Sequence, residues 1–310
     1  MHVTVLGSLN TDLVVWAPRL PQVGETVPGG TFAVFHGGKG ANQAVAAARL
    51  GAEVTMIGCV GADAFGRQLI EGLAAEGIDT RHVRVADGAA SGVALITVDP
   101  QARNTIVVAA GANERVEARD VDAAAEAIAA SQVLLLQLEV PLDAVVHAAT
   151  LARRHRCCII LDPAPAPAAP LPKELFESLS VIVPNEVEAR VLTGVDVSDE
   201  GGAAAAARRL LVMGAQAVVI KRGAAGALWA TGSESEAVPG IPVRAVDSTA
   251  AGDAFAAALG VALGEGRALR DAVRLANAAA ALSVTRMGAQ PSMPRRDEVT
   301  AFARARGLSV

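Results

Sequence analysis

The chain is poor in lysine and cysteine. Of its 27 basic residues only three are lysines, Lys39, Lys173 and Lys221. No long basic run occurs, and the formal net charge is -5, which excludes a general nucleic-acid-binding surface. Cys59, Cys157 and Cys158 form a sparse, odd set, each inside an apolar strand-like run, so they read as buried free thiols. They share no metal-ligand spacing with the five histidines, of which His36 alone lies beside a glycine turn from which it could reach a ligand. No charge-free apolar stretch is long enough to span a bilayer, and no basic segment followed by an apolar one marks a secretory signal. The expectation is a cytoplasmic chain with neither membrane nor nucleic acid as partner. What is present is apolar material: 52% of the 310 residues are hydrophobic and 19% charged, ample for a core.

The apolar runs alternate in kind. Strand-like runs at 3–6, 54–58, 133–138, 157–161, 181–183 and 217–221 alternate with helical runs at 41–50, 65–75, 142–155, 186–192 and 203–213. Such a βαβα rhythm predicts an α/β fold, a mostly parallel central sheet with helices on both faces. The last third reads as helices at 253–263, 269–284 and 296–306, preceded by an alternating run, 241–246, that suits a strand. Two segments break the rhythm, about 13–36 and 92–109, both without helical period. The second predicts a strand pair around the polar turn at 99–104. A small antiparallel sheet acting as a lid on a single domain, 1–310, accounts for both. The proline-rich 163–172 reads as a rigid connecting loop.

The most informative stretch is Asp247-Ser248-Thr249-Ala250-Ala251-Gly252-Asp253. Two carboxylates bracket a small-residue turn that opens a helix. The first N–H groups of a helix lack internal partners and, with the helix dipole, form an anion site. A carboxylate beside an anion makes sense if it takes a proton while the anion is transferred, which describes phosphoryl transfer to a hydroxyl with Asp253 as base. The competing reading is an Asp that merely caps a helix.

A second motif, Gly37-Gly38-Lys39-Gly40-Ala41-Asn42-Gln43, opens another helix. It lacks the Gly-Lys-Ser/Thr ending of a Walker A loop and the last glycine of a dinucleotide fingerprint, which weighs against a dehydrogenase. It is either a turn with a solvated lysine or a place where backbone, Lys39 and Asn42 meet a polar ligand. Asn10 and Asp12 follow the first strand, and Glu139 follows the strand-like run at 133–138. All three lie at the edge where open α/β sheets bind ligands, and amide and carboxylate oxygens there suit a polyhydroxy compound. Asn185-Glu186-Val187-Glu188 has the form of a capping box, with a role near magnesium or phosphate as the alternative. Lys221-Arg222-Gly223-Ala224-Ala225-Gly226 could hold a nucleotide phosphate or form a basic hairpin.

In this order, and together with Gly288-Ala289-Gln290-Pro291-Ser292, these motifs resemble the ribokinase-like carbohydrate kinase family over residues 3 to about 305. The glycine-lysine motif resembles the ribokinase branch in particular. The resemblance implies ATP-dependent phosphorylation of D-ribose at its 5-hydroxyl, with a related pentose or nucleoside kinase, or a non-catalytic sugar sensor, as alternatives. It implies ribose contacts at Asn10, Asp12, Gly38, Lys39, Asn42 and Glu139, with Asp253 as the base. Ala250, Ala251 and Gly252 would form the anion hole. Asn185, Glu188, Lys221, Gly223, Gly226, Gly252 and Asn277 would surround ATP and its Mg2+. Asp247, Thr249, Ser283, Arg286, Gly288 and Ser292 would surround a K+ ion, several through main-chain carbonyls. A homodimer through the β-sheet lid is implied as well. Three positions depart from the family pattern: Ser248 replaces a commoner Thr, Lys221 stands where Thr is frequent, and Asn277 stands where some relatives have His.

Overall fold

The computed structural model describes residues 1–101 and 103–308. Its strands are β1 (His2–Leu6), β2 (Asn10–Trp16), β3 (Phe32–Gly37), β4 (Glu53–Gly61), β5 (Asp79–Ala86), β6 (Gly92–Val98), β7 (Asn104–Ala109), β8 (Val133–Leu136), β9 (Cys158–Leu161), β10 (Val181–Ile182), β11 (Ala217–Lys221), β12 (Ala227–Thr231) and β13 (Ser235–Val238). Among the described residues, nine strands form one sheet in the order β13-β12-β11-β10-β9-β8-β1-β4-β5. From β11 to β5 every pairing is parallel, and β12 and β13 extend the sheet as an antiparallel hairpin.

Side-chain alternation divides this sheet between two cores. In β8, Val133 and Leu135 face the layer that holds the helices Lys39–Arg49, Ala251–Gly264 and Leu269–Ser283. Leu134 and Leu136 face the opposite layer, with the helices Leu142–Arg154, Lys173–Ser178 and Glu200–Val212. All four are fully buried, each contributing roughly 1.5–3 kcal/mol by leaving water. A strand buried on both faces reads as an unbroken apolar run, which is why 133–136 carries no polar alternation. Local signals set the helix ends. Asp63 and Asp199 cap their helices by accepting from the Gly66 and Gly202 amides, and Gly194 ends the helix Glu186–Thr193 in a left-handed conformation.

The segments that break the βαβα rhythm form a separate four-stranded sheet, β3-β2-β6-β7. It is mixed rather than purely antiparallel: β2 pairs with β6 in parallel, flanked by antiparallel β3 and β7. The chain between β2 and β6 passes through the large sheet, so it returns in the same direction. The sheet also begins earlier than about residue 13, since β2 starts at Asn10. Residues 241–246 form no strand. Pro242 interrupts that run without an N–H to donate, and the preceding strand has already ended at Val238. The helices Ala118–Ala123 and Ala125–Ala130, and the strands β5, β12 and β13, lie outside the sequence reading.

Candidate active site

Because β1, β8, β9, β10 and β11 run parallel, their carboxyl ends collect along one edge. Along it stand Lys221 at the end of β11, Asn185 after β10, Asp162 after β9, Gln137 and Glu139 after β8, and Ser8 after β1. This is the edge at which open α/β sheets bind ligands. The helix Ala251–Gly264 starts against it. Ala250 turns into that helix through a left-handed conformation with φ 59°, unusual for a residue with a Cβ. The Ala251 amide donates to the Ser248 carbonyl at 3.2 Å, while Gly252 and Asp253 occupy first-turn positions that have no intrahelical acceptor.

Asp253 is 3% exposed and is held from two sides. Asn42 Nδ2 donates to its Oδ2 at 3.0 Å and Gln43 Nε2 to its Oδ1 at 3.2 Å. Burial, and secondarily the nearby Asp162 carboxylate, outweigh these bonds and the Lys39 charge, raising its pKa from 3.8 to about 6. Asn42 Oδ1 is buried without a hydrogen-bond partner, an acceptor open to a ligand hydroxyl. Gln43 is itself fixed: Gln137 Nε2 donates to its Oε1 at 2.7 Å, so Nε2 must face the carboxylates.

Asp12 projects from β2 into a cavity of about 550 Å³ between the small sheet and the 245–249 turn. Val14, Trp16, Phe35, Ile96 and Val98 line the rest of the cavity on the sheet side, with Trp16 and Phe35 packed edge to face at 6.5 Å. Burial, then the Glu139 and Asp253 charges, push the Asp12 pKa to about 7. Glu139 accepts from Ser8 Oγ at 2.5 Å and from the Lys39 amide at 3.2 Å, tying the glycine motif to the sheet edge. The glycines there have local causes. Gly38 adopts φ 88°, and a Cβ on Gly40 would lie 2.6 Å from the Gly7 carbonyl carbon. Asn10 Oδ1 accepts from Asn113 Nδ2 at 2.8 Å.

A second cavity, about 430 Å³, is lined by Asp253. Lys39, Asp162, Asn185, Glu186, Glu188, Lys221, Gly223 and Gly252 line it. Of the residues expected to contact sugar, Asp12 alone lines the first cavity; Lys39 and Asp253 line this one, and Asn10, Gly38, Asn42 and Glu139 line neither. Burial acts to lower the Lys39 pKa, but the charges of Asp253, Asp162, Glu139 and Glu188 prevail and raise it. Lys221 Nζ donates to Asp162 Oδ1 at 2.6 Å. Asn185 and Glu188 form the capping box that their spacing predicts, Asn185 Oδ1 accepting from the Glu188 amide at 2.9 Å, and both also line the cavity. Burial raises the Glu188 pKa. Gly223, Gly226, Phe255 and Asn277 line a third cavity of about 360 Å³, which shares Lys221, Gly223, Ser248 and Gly252 with the second.

The segments expected around a monovalent cation come together. Asp247 Oδ1 accepts from the Thr249 amide at 2.9 Å, and its Oδ2 from the Gly288 amide at 2.8 Å. The Val246 and Asp247 amides both donate to the Val284 carbonyl, next to Ser283. The Arg286 guanidinium pairs with Glu298, and the Ser283 and Ser292 hydroxyls donate to the Ala280 and Ala289 carbonyls. His36 is directed elsewhere: its ring lies where a Cβ on Gly72 would meet it at 2.4 Å, against the helix Ala64–Ala75. Sequence reading assigned no role to Asp162, Gln43, Gln137 or Ser8. Asp162, Gln137 and Ser8 follow strands at the same edge as Glu139, and that position was the available signal.

Residues 1–296 match the family model "pfkB family carbohydrate kinase", and the chain belongs to that family. It is 43% identical to a ribokinase of Haemophilus influenzae over 96% of this chain and 97% of that protein. It is 40% identical to a ribokinase of Bacillus subtilis over 96% and 98% of the two. The structure of Arabidopsis thaliana ribokinase complexed with ribose and ATP superposes with a TM-score of 0.88 at 33% identity, covering 97% of each chain. The protein is therefore a carbohydrate kinase, a phosphotransferase acting on an alcohol group.

Proposed function

We propose that this protein transfers the γ-phosphoryl group of ATP to the 5-hydroxyl of D-ribose, giving ribose 5-phosphate and ADP. The observation that carries this reading is the position of Asp253. It is a buried carboxyl group at the start of a helix, lining a cavity that also holds two lysines, bonded by Asn42 and Gln43 of the glycine motif and near enough to Asp12 for its charge to raise that carboxyl's pKa. The 43% and 40% identical relatives, both ribokinases, support ribose as the substrate, with deoxyribose the competitor that two 37% identical deoxyribokinases raise.

In this reading Asp12, Asn42, Glu139, Asn10 and the Gly38 backbone bind sugar hydroxyls, and Lys39 spans sugar and phosphate. Asp253 takes the proton from the 5-hydroxyl as that oxygen attacks the γ-phosphorus and the bond to the β,γ-bridging oxygen breaks. The amides from Ala250 to Gly252 stabilise the charge on the transferring group, the Ala251 amide by sharing with Ser248. Positioning and electrostatics supply most of the acceleration. Gly223, Gly226 and Asn277 bind the nucleoside end of ATP. The second cavity is lined by Asp162, Glu186, Glu188 and Asp253 against Lys39 and Lys221, an excess of negative charge for a site that takes a triphosphate. That donor set fits Mg2+, held through water by Glu188 and Asn185, which would neutralise phosphate charge. Asp247, with main-chain carbonyls of Thr249, Ser283, Arg286 and Gly288 and with Ser292 behind them, fits a hard cation such as K+ that braces the anion-hole turn.

The small sheet acts as a lid and as a homodimer interface. Phe32, Val34, Leu95 and Val107 share its outer face and are 58%, 44%, 55% and 66% exposed, an apolar stripe that a second copy would cover. The chain works as one domain in the cytoplasm, where ATP is made and free thiols stay reduced. An ADP-release assay across ribose, deoxyribose, fructose and adenosine tests the assignment. Ribose should be preferred over deoxyribose, because a site built around a hydroxyl leaves its own polar groups unpaired when that hydroxyl is missing. Equal specificity constants for the two pentoses would replace ribose with a broader pentose class.

A further inference from the structure

Asp162 lines the second cavity, bonded between Lys221 and the Gln43 amide. Its Oδ1 accepts from Lys221 Nζ at 2.6 Å and its Oδ2 from Gln43 Nε2 at 3.1 Å. The same Gln43 nitrogen reaches Asp253 Oδ1 at 3.2 Å. The side chains of Asp162 and Lys221 are only 2% and 12% exposed. Lys221 Nζ rests against the start of the helix Ala251–Gly264, since a Cβ on Gly252 would sit 3.4 Å from it. An ammonium group carries three donors, and Asp162 takes one of them. The others remain available in a cavity lined by Gly252 and Asp253.

We propose that Asp162 is a positioning residue that holds Lys221 against the Gly252 amide for contact with the transferring phosphoryl group and, through Gln43, ties that contact to the orientation of Asp253. The proposal rests on the phosphoryl-transfer reading above. A lysine on a four-carbon stem has no geometry of its own. Without Asp162 the Lys221 ammonium would be free to turn to Glu186 or Glu188, which line the same cavity. Because Gln137 fixes the Gln43 amide, the carboxylates of Asp162 and Asp253 are spaced by one shared nitrogen.

The test compares Lys221→Met, Asp162→Asn and the double variant in two assays. In turnover, Lys221→Met should lower kcat about 10²-fold, the scale of one transition-state donor, with the sugar KM little changed. Asp162→Asn should lower kcat about tenfold in the parent but less than about threefold in the Lys221→Met background, since residues acting as a unit are not additive. In binding, Lys221→Met should weaken a non-hydrolysable ATP analogue with a γ-phosphate about tenfold while leaving ADP within about twofold, as a contact to the γ-phosphate requires. The binding assay needs no sugar. A parent protein that turns over no sugar would overturn the ribose assignment, while the analogue-to-ADP difference would still decide the role of Lys221. Additive losses in turnover, or equal effects on the two nucleotides, would overturn the proposal. Asp162→Asn is nearly isosteric; if it unfolds, Asp162→Ser takes its place in the same single and double variants, and the same criteria apply.

Discussion

Replacing Asp253 by Asn separates the chemistry of the site from the stability of the fold. The amide cannot accept the 5-hydroxyl proton, and general-base removal lowers turnover by about 10²–10⁴-fold. The effect on stability should have the opposite sign. Burial and the Asp162 charge raise the Asp253 pKa from 3.8 to about 6, so ionising it in the folded state at pH 8 costs roughly 3 kcal/mol. A carboxyl group whose folded pKa is raised contributes stability that is fully present below the unfolded value, near 3.8. That stability is lost as pH rises through about 6. Asn carries no charge to strand in the interior. The variant should therefore match or exceed the parent at pH 8, by no more than about 3 kcal/mol. The new amide offers one acceptor in place of two: Gln43, fixed by Gln137, keeps a bond to its oxygen, while Asn42 must turn its unpaired Oδ1 toward the new NH2, and this rearrangement reduces the gain. For a chain of this size the gain is a few degrees in Tm. It should disappear below about pH 4, where Asp253 is protonated in both states.

The assay is kcat at saturating ribose and ATP, paired with thermal unfolding at pH 8 and pH 4. Turnover within tenfold of the parent would remove Asp253 as the base. A variant less stable at pH 8 than at pH 4, relative to the parent at each pH, would refute the electrostatic account of its environment. A loss of both turnover and stability at every pH would mean that Asp253 holds the helix start together, the capping role that its sequence position also allows.

Further expectations follow from neighbouring residues. With Asp12 near 7 and Asp253 near 6, kcat/KM for ribose should fall from pH 8 to pH 5 with a slope approaching two protons, and Asp12→Asn should reduce the slope to one; a single-proton limb in the parent would remove one of the two groups. Potassium should raise activity over choline at matched ionic strength, and Asp247→Ala should lose this response; a flat titration from potassium-free parent enzyme would dismiss the ion. Leu95→Asp together with Val107→Asp places charge in the outer stripe of the small sheet, so sedimentation should show monomers; a dimer that survives both changes lies elsewhere. Gly37→Ala would put a methyl group 2.3 Å from Asp12 Oδ2, so KM for ribose should rise more than kcat falls, and unchanged sugar kinetics would take Asp12 out of the sugar site.

Most of the fold was legible because parallel strands buried on both faces leave unbroken apolar runs. Val133 to Leu136 could be nothing else at that length between two turns. The strand expected at 241–246 shows where the pattern misleads. Alternation survives there, but Pro242 removes a donor, and the segment instead walls the two cavities that flank the 247–253 turn. The pairing of β2 with β6 was also hidden, since direction within a small sheet depends on where the intervening chain travels and not on either strand's composition.

The site was legible in a different way. Asp253, Asn42 and Lys39 stand in motifs whose small residues announce a close approach, and Asp12 was marked by its place after the first strand. Asp162 stands in none, because it follows a strand and precedes a proline, as many inert residues do. What makes it stand out is the sheet order. Only with β9 between β8 and β10 does residue 162 fall between Glu139 and Asn185 along the sheet edge. Gln43 is the complementary case: its motif was visible, but a glutamine near the start of a helix has many uses. Its one use here is set by Gln137, 94 residues away, which takes its oxygen and so commits its nitrogen to two carboxylates. The arrangement that joins base, lysine and sheet edge is thus written in long-range pairings. A motif can supply the ends of such a chain of contacts, Asp253 and Lys221, while the residues that fix their spacing come from the order in which strands assemble.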